Sequence, residues 1–203
     1  MSDKLTLGIG LAQELEHSFN RNRYKSLEEI KRLTKGDYLG QARMISLGFA
    51  EIKFIERTVD CNVDATTPKD SRWTVKEHCK NGIFKLERRG NDIFANGKKI
   101  VLWLSEEQKQ RCKPFITGRV LHSQLVRRPV LNANVLDCFL KNQYLVPRVC
   151  KNKETCFWGT IYLDNNGKLY VRTLLGSDDG WCGNFREFDD DWFDFNPSAE
   201  LAD

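Results

Sequence analysis

The stretch from Cys156 to Asp194 constrains this chain more than any other. It reads Cys-Phe-Trp-Gly-Thr-Ile-Tyr-Leu, then Asp-Asn-Asn-Gly, then Leu-Tyr-Val-Arg-Thr-Leu-Leu, and after a second turn Trp-Cys-Gly-Asn-Phe-Arg-Glu-Phe. Runs of β-branched and aromatic residues separated by Asn, Asp and Gly are the pattern of paired strands and tight turns. The spacing predicts a three-stranded antiparallel meander over residues 155–186, with its first turn at Asp164–Gly167. An acidic-aromatic tail follows, Asp189-Asp-Asp-Trp-Phe-Asp194.

Upstream, the periodicity is helical. Leu7, Leu11, Leu15 and Phe19 fall four apart, one apolar stripe on a helix. Ser26-Leu-Glu-Glu29 is a capping box, and Gly36 stops the helix that it opens. Asp37 caps a third helix carrying Leu39, Ala42 and Ile45. The texture then changes. Ile52–Val59 reads as a strand and Asp60–Arg72 as a loop. Ile83–Leu86 and Ile93–Phe94 flank a Gly90-Asn91 turn, and Asn96-Gly97 is the strongest hairpin signal in the chain. Ile100–Leu104 is a continuous apolar run, read as a buried strand. Ser105-Glu-Glu-Gln108 is a second capping box, predicted to open a short basic helix, and residues 113–130 show no regular period. Asn132 caps a helix with Val135, Leu136, Phe139 and Leu140 apolar, ending near Asn142.

These readings add up to an α+β fold. It has a helical N-terminal part (1–50), a mixed central region (51–147) and a C-terminal meander with its tail (148–203), sharing one core.

Charge divides the chain. Residues 1–156 hold 29 Lys and Arg against 18 Asp and Glu, and residues 157–203 hold 3 against 10. A basic body attracts polyanions, while an acidic end docks against the body or simply solvates it. The cations that cluster in sequence are Arg21, Arg23, Lys25, Lys31, Arg32, Lys35, Lys109, Arg111, Arg127 and Arg128, the candidate nucleic-acid contacts. Phosphate neutralisation needs Lys and Arg on one face, and bases stack on aromatic rings. The tail offers a second surface. Trp181, Asp189, Asp190, Asp191, Trp192 and Asp194 either close the meander's core with their rings or meet a basic protein partner with their carboxylates.

Catalytic signals are absent. Only three histidines occur, His17, His78 and His122, and no nucleophile elbow, Walker loop or dinucleotide fingerprint is present. The seven cysteines contain no Cys-x-x-Cys pair, which points to reduced structural thiols rather than zinc. No cofactor or metal is called for. With no signal segment and no apolar run of spanning length, the expected setting is the cytoplasm, away from membranes.

One resemblance stands beside this reading. Val130–Asp137, Leu145-Val-Pro147, Phe157–Tyr162, Gly167–Arg172, Trp181, Asp189–Trp192 and Asn196-Pro197 together resemble a group of small uncharacterised proteins of candidate-phyla bacteria, the Patescibacteria. Lys4–Gly8, Ala12–Leu15 and Phe19–Arg21 are similar as well. The resemblance implies a bacterial, cytoplasmic protein and carries no activity with it. After Arg172 the chain departs from the group, with Thr-Leu-Leu-Gly-Ser where Tyr- and Trp-rich sequence is usual. The function expected from all this is a non-enzymatic binding protein of a bacterium or mobile element, acting on nucleic acid or a nucleoprotein. Two alternatives stay open: a protein-interaction or inhibitor module using the acidic-aromatic C-terminus, and an enzyme with a dispersed Cys/His or carboxylate site.

Overall fold

The structure, a computed structural model, describes residues 57–67, 72–110, 115–177 and 180–202. All of them belong to one compact unit, residues 54–203. The three helices expected within residues 1–50 lie outside the described residues.

The α+β expectation is overturned. Strands make up 48% and helices 17% of the described residues. Among them there are two α-helices, α1 (Gly118–Leu125) and α2 (Ala133–Lys141). The strands are β1 (Arg57–Asp60), β2 (Trp73–His78), β3 (Ile83–Arg89), β4 (Asp92–Ala95), β5 (Lys98–Trp103) and β6 (Phe115–Thr117). They continue as β7 (Glu154–Asp164), β8 (Leu169–Ser177), β9 (Gly180–Glu187), β10 (Asp191–Phe193) and β11 (Ser198–Leu201).

Nine strands form one mixed sheet in the order β1-β3-β4-β5-β11-β7-β8-β9, with β2 also paired to β7. The β7–β8–β9 meander is thus the flank of a larger sheet. Its first turn is held by Asp164, whose Oδ1 accepts from the amides of Asn166 at 2.9 Å and Lys168 at 2.8 Å. Asn96 and Gly97 both take positive φ (49° and 81°), the combination a two-residue hairpin turn requires, and they link β4 to β5. The remaining join is made by the tail. Ser198–Leu201 runs antiparallel to Trp103–Ile100 and meets Cys156 of β7 in parallel. Much of the overturned expectation lies here, because the segment read as a tail supplies a central strand.

Two cores lie on opposite faces of this sheet. On one face α2 packs Val135, Leu136 and Phe139 against Phe84, Leu86, Ile93, Ile100, Phe157 and Leu174. On the other, Leu121 and Leu125 of α1 join Trp158, Val171, Phe188 and Trp192. The short β6–β10 ribbon sits with α1. Neighbouring residues of β7 go to opposite cores: Phe157 to the first, Cys156 and Trp158 to the second.

The block Phe157–Thr160 is a large bulge rather than a regular strand. Between the pairs Cys156↔Thr173 and Ile161↔Val171, four residues of β7 oppose the single residue Arg172. The bulge bonds sideways instead. The Gly159 amide donates to the Leu131 carbonyl (3.0 Å) and its carbonyl accepts from the Cys79 amide (2.7 Å). A methyl group at Gly159 would lie 2.9 Å from backbone atoms of Leu131 and Asn132, so only glycine fits this approach. Thr160 accepts from the Ala133 amide (3.0 Å) and bonds His78 Nδ1 (2.8 Å). Asn132 caps α2 through the Asn134 amide and donates to the Cys79 carbonyl at 2.8 Å. A polar seam therefore pins the helix start to the bulge.

The second capping box forms without its helix. Ser105 and Gln108 exchange both hydrogen bonds, at 3.1 and 3.2 Å. Residues 106–109 make only a turn, because the Gln108 side-chain Nε2 is drawn to the carbonyls of Phe193 and Asn196.

Candidate nucleic-acid interface

The segment that follows α2 carries the most distinctive charge arrangement among the described residues. Helix α2 ends at Asn142, whose amide donates to the carbonyls of Cys138 and Phe139 and whose side chain also bonds the Cys138 carbonyl. Two short 3-10 turns follow, Gln143–Leu145 and Arg148–Cys150. Leu145, Val146 and Cys150 are buried in the first core and anchor the segment. Asn152 takes positive φ (63°), which asparagine tolerates better than most residues, and the chain turns into β7. With the apolar anchors inside, Lys141, Tyr144, Arg148, Val149 and Lys151 are left exposed.

Two further cations reach this segment from the sheet. Arg57 of β1 donates from Nε to the Tyr144 hydroxyl at 3.1 Å. Arg88 of β3 donates to the Tyr144 carbonyl at 2.6 Å and to the Gly90 carbonyl at 2.9 Å. Six cations thus lie on the segment or bond to it: Arg57, Arg88, Lys141, Arg148, Lys151 and Lys153. Within the described residues none of the six has a carboxylate partner. The sequence shows one reason, since no Asp or Glu occurs between Asp137 and Glu154. Both flanking acids are engaged elsewhere. Asp137 binds Arg172 at 2.6 Å and accepts from Thr66. Glu154 accepts from Arg186, Asn196 and Thr173 at 2.8–3.0 Å.

Most other cations contrast with these. Lys80 pairs with Asp64, Arg89 with Glu87, Lys99 with Asp92, and Lys168 with Glu187. Of the sequence-predicted contacts, Arg21, Arg23, Lys25, Lys31, Arg32, Lys35 and Arg111 lie outside the described residues. Lys109 is exposed and paired with Glu106 at 2.7 Å. Arg127 is exposed. Arg128 lies over the Trp103 ring (4.4 Å) and grips Glu200. No hydrogen bond or ion pair joins Lys109, Arg127 or Arg128 to the 141–153 segment within the described residues. The 141–153 segment does not stand out by the density of its cations in sequence; its signal is the run of 16 positions without an acid.

The acidic-aromatic residues divide between interior and surface. Trp192 is fully buried, with its Nε1 donating to the Phe188 carbonyl at 3.2 Å. Trp181 is half-buried against the first core. Asp189 makes a two-pronged bond to Arg119, at 2.8 and 3.1 Å, and Asp190 lies 3.9 Å from Arg186. Asp191 and Asp194 are exposed, beside a stacked pair formed by Phe193 and Phe195, 5.4 Å apart.

The buried thiols Cys61, Cys150 and Cys156 are held protonated. Burial pushes Cys61 and Cys150 up to about 11, and Cys156 well above its ordinary value. Among the described residues no helix is long and apolar enough to cross a membrane. No protein-family model, curated protein or solved structure matches the chain.

Proposed function

We propose that this protein binds nucleic acid, performing no chemistry on it, through the cationic segment 141–153 and the two arginines bonded to it. One observation carries the reading: six cations lie on this segment or bond to it, and within the described residues none of them is paired with a carboxylate. Unpaired cations on rigid backbone release condensed counterions when they meet phosphates, and that release is the main source of affinity for polyanions. The wider field favours the same partner. Residues 57–156 hold 20 Lys and Arg against 10 Asp and Glu, so nearly all the basic surplus of the chain lies in this body. Several acids of the C-terminal region are meanwhile held against basic residues, as Asp189 is against Arg119 and Glu200 against Arg128.

The test is binding of labelled DNA and RNA as a function of salt. Affinity should fall linearly on a log–log plot. Replacing Arg148, Lys151 and Lys153 together with alanine should weaken binding to every sequence and reduce the slope by roughly 2 to 3. These three side chains make no hydrogen bond or ion pair within the described residues, so the melting temperature should hold. Absence of binding by the wild type at low salt, or an unchanged slope in the triple variant, refutes the reading.

A second reading rests on a separate observation. The Phe193–Phe195 stack beside Asp191 and Asp194, with Phe115 6.1 Å from Phe193, suits a basic protein partner. Capture that survives nuclease treatment and is lost in Phe195→Ala would favour it.

A further inference from the structure

Three large aromatic side chains are exposed among the described residues: Phe115, Tyr144 and Phe195. The two phenylalanines neighbour Asp191 and Asp194 at the β6–β10 ribbon, which repels phosphate. Tyr144 alone stands among cations, and it is 42% exposed. Its position is fixed at both ends. Arg57 holds the hydroxyl and Arg88 holds the backbone carbonyl, each from a strand of the main sheet. Such an arrangement pre-orders a ring that would otherwise turn freely, so less entropy is lost when something stacks on it.

We infer that the ligand of this surface is single-stranded nucleic acid, with a base stacked on Tyr144 and the flanking phosphates met by Arg148, Lys151 and Lys153. This rests on the nucleic-acid reading above and refines it. The chemistry selects the strand state. In a duplex the base faces are covered by their neighbours, so a duplex can use the cations but not the ring. In a single strand every base offers a π-face, and stacking tolerates any sequence. The Arg57 guanidinium, hydrogen-bonded to the ring's hydroxyl, adds a planar cation beside the stack. Val149, 47% exposed on the same segment, gives the sugar or base an apolar neighbour.

The experiment measures anisotropy of three labelled ligands at one low salt concentration: a single strand, the matching duplex, and a single strand of the same length built from abasic sites. DNA and RNA versions are run in parallel. The wild type should prefer the base-bearing single strand over both others. Tyr144→Ala should lose roughly five- to one-hundred-fold on the base-bearing strand and little on the abasic strand. Tyr144→Phe, which keeps the ring and drops only the Arg57 bond, should stay within a few-fold of wild type. Equal binding of abasic and base-bearing strands overturns the inference, as does wild-type affinity in Tyr144→Ala. Binding to all three ligands alike, with a salt slope, would leave the polyanion reading standing without the stacking. Failure of every ligand at low salt would remove both.

Discussion

Arg128 holds Glu200 by two hydrogen bonds of 2.6 and 2.7 Å, with the Glu200 side chain only 5% exposed. Glu200 lies on β11 opposite Val101, so the pair clamps the C-terminal strand to the segment that enters α2. Arg128→Ala would leave a carboxylate buried without its cation. The expected loss is about 3 kcal/mol, the lower end for breaking a buried pair, because a third of Arg128 still meets water. Glu200→Gln should cost less, and replacing both residues with apolar ones should recover part of the loss. Urea denaturation of the three variants checks the order.

Gly159→Ala places a methyl group 2.9 Å from backbone atoms that cannot rotate away. The expected cost is about 3 kcal/mol, the upper part of the range for overpacking. Gly97→Ala is the control. Its φ is +81° but nothing lies within 4 Å, so only left-handed strain of about 1 kcal/mol is added. Similar melting temperatures for the two variants would contradict the close packing of the bulge on α2.

Burial pushes the His78 imidazole below its ordinary value of 6.5, outweighing the backbone carbonyl of Cys61 and the charge of Asp64, which act the other way. The unfolded chain binds the proton at its usual pH while the folded chain resists it. Stability is therefore full above about pH 6.5 and falls as pH drops from there toward the depressed folded value. His78→Gln does not titrate. Between about pH 7.5 and about pH 5.5 the wild type should lose more melting temperature than this variant.

Thiol labelling should follow burial. Cys182 is exposed on β9, whereas Cys61, Cys150 and Cys156 are buried and hold their protons tightly. Brief iodoacetamide treatment of the native protein should modify the exposed Cys182 and Cys79 well before these three, which should react only after unfolding, as peptide mass mapping would show. Early modification of Cys156 would mean that the second core opens readily.

The elements legible in the sequence carry their instructions locally. Asn132 supplies its own cap and Val135, Leu136 and Phe139 supply the inward stripe, so α2 was readable from end to end. Asn96-Gly97 and Asp164–Gly167 state their turns through side chains of their own. The misread elements depend on remote partners. Ser198-Ala-Glu-Leu201 has little β-propensity and is a strand because β5 offers it a free edge. Ser105–Gln108 makes its box but no helix, because Gln108 also serves Phe193 and Asn196. Helix α1 begins with glycine and lacks a side-chain cap, and residues 113–130 show no regular period to announce it. The cationic segment was hidden for a related reason. A count of Lys and Arg cannot tell those that the fold neutralises, such as Arg128, from those with no carboxylate partner among the described residues, such as Arg148.

The place of β11 between β5 and β7 has a consequence for biosynthesis. Ribosomes make β11 after every strand that it joins. A chain in which Ser198–Leu201 has not yet docked therefore leaves the edge of β5 unpaired over Ile100–Trp103, and β7 without its partner at Cys156. Open edges pair with whatever strand arrives, including another copy of the same chain. Until Ser198–Leu201 docks, the edge of β5 is where such mispairing would start, so the last strand of this sheet to be made is also the one that closes it against its own copies.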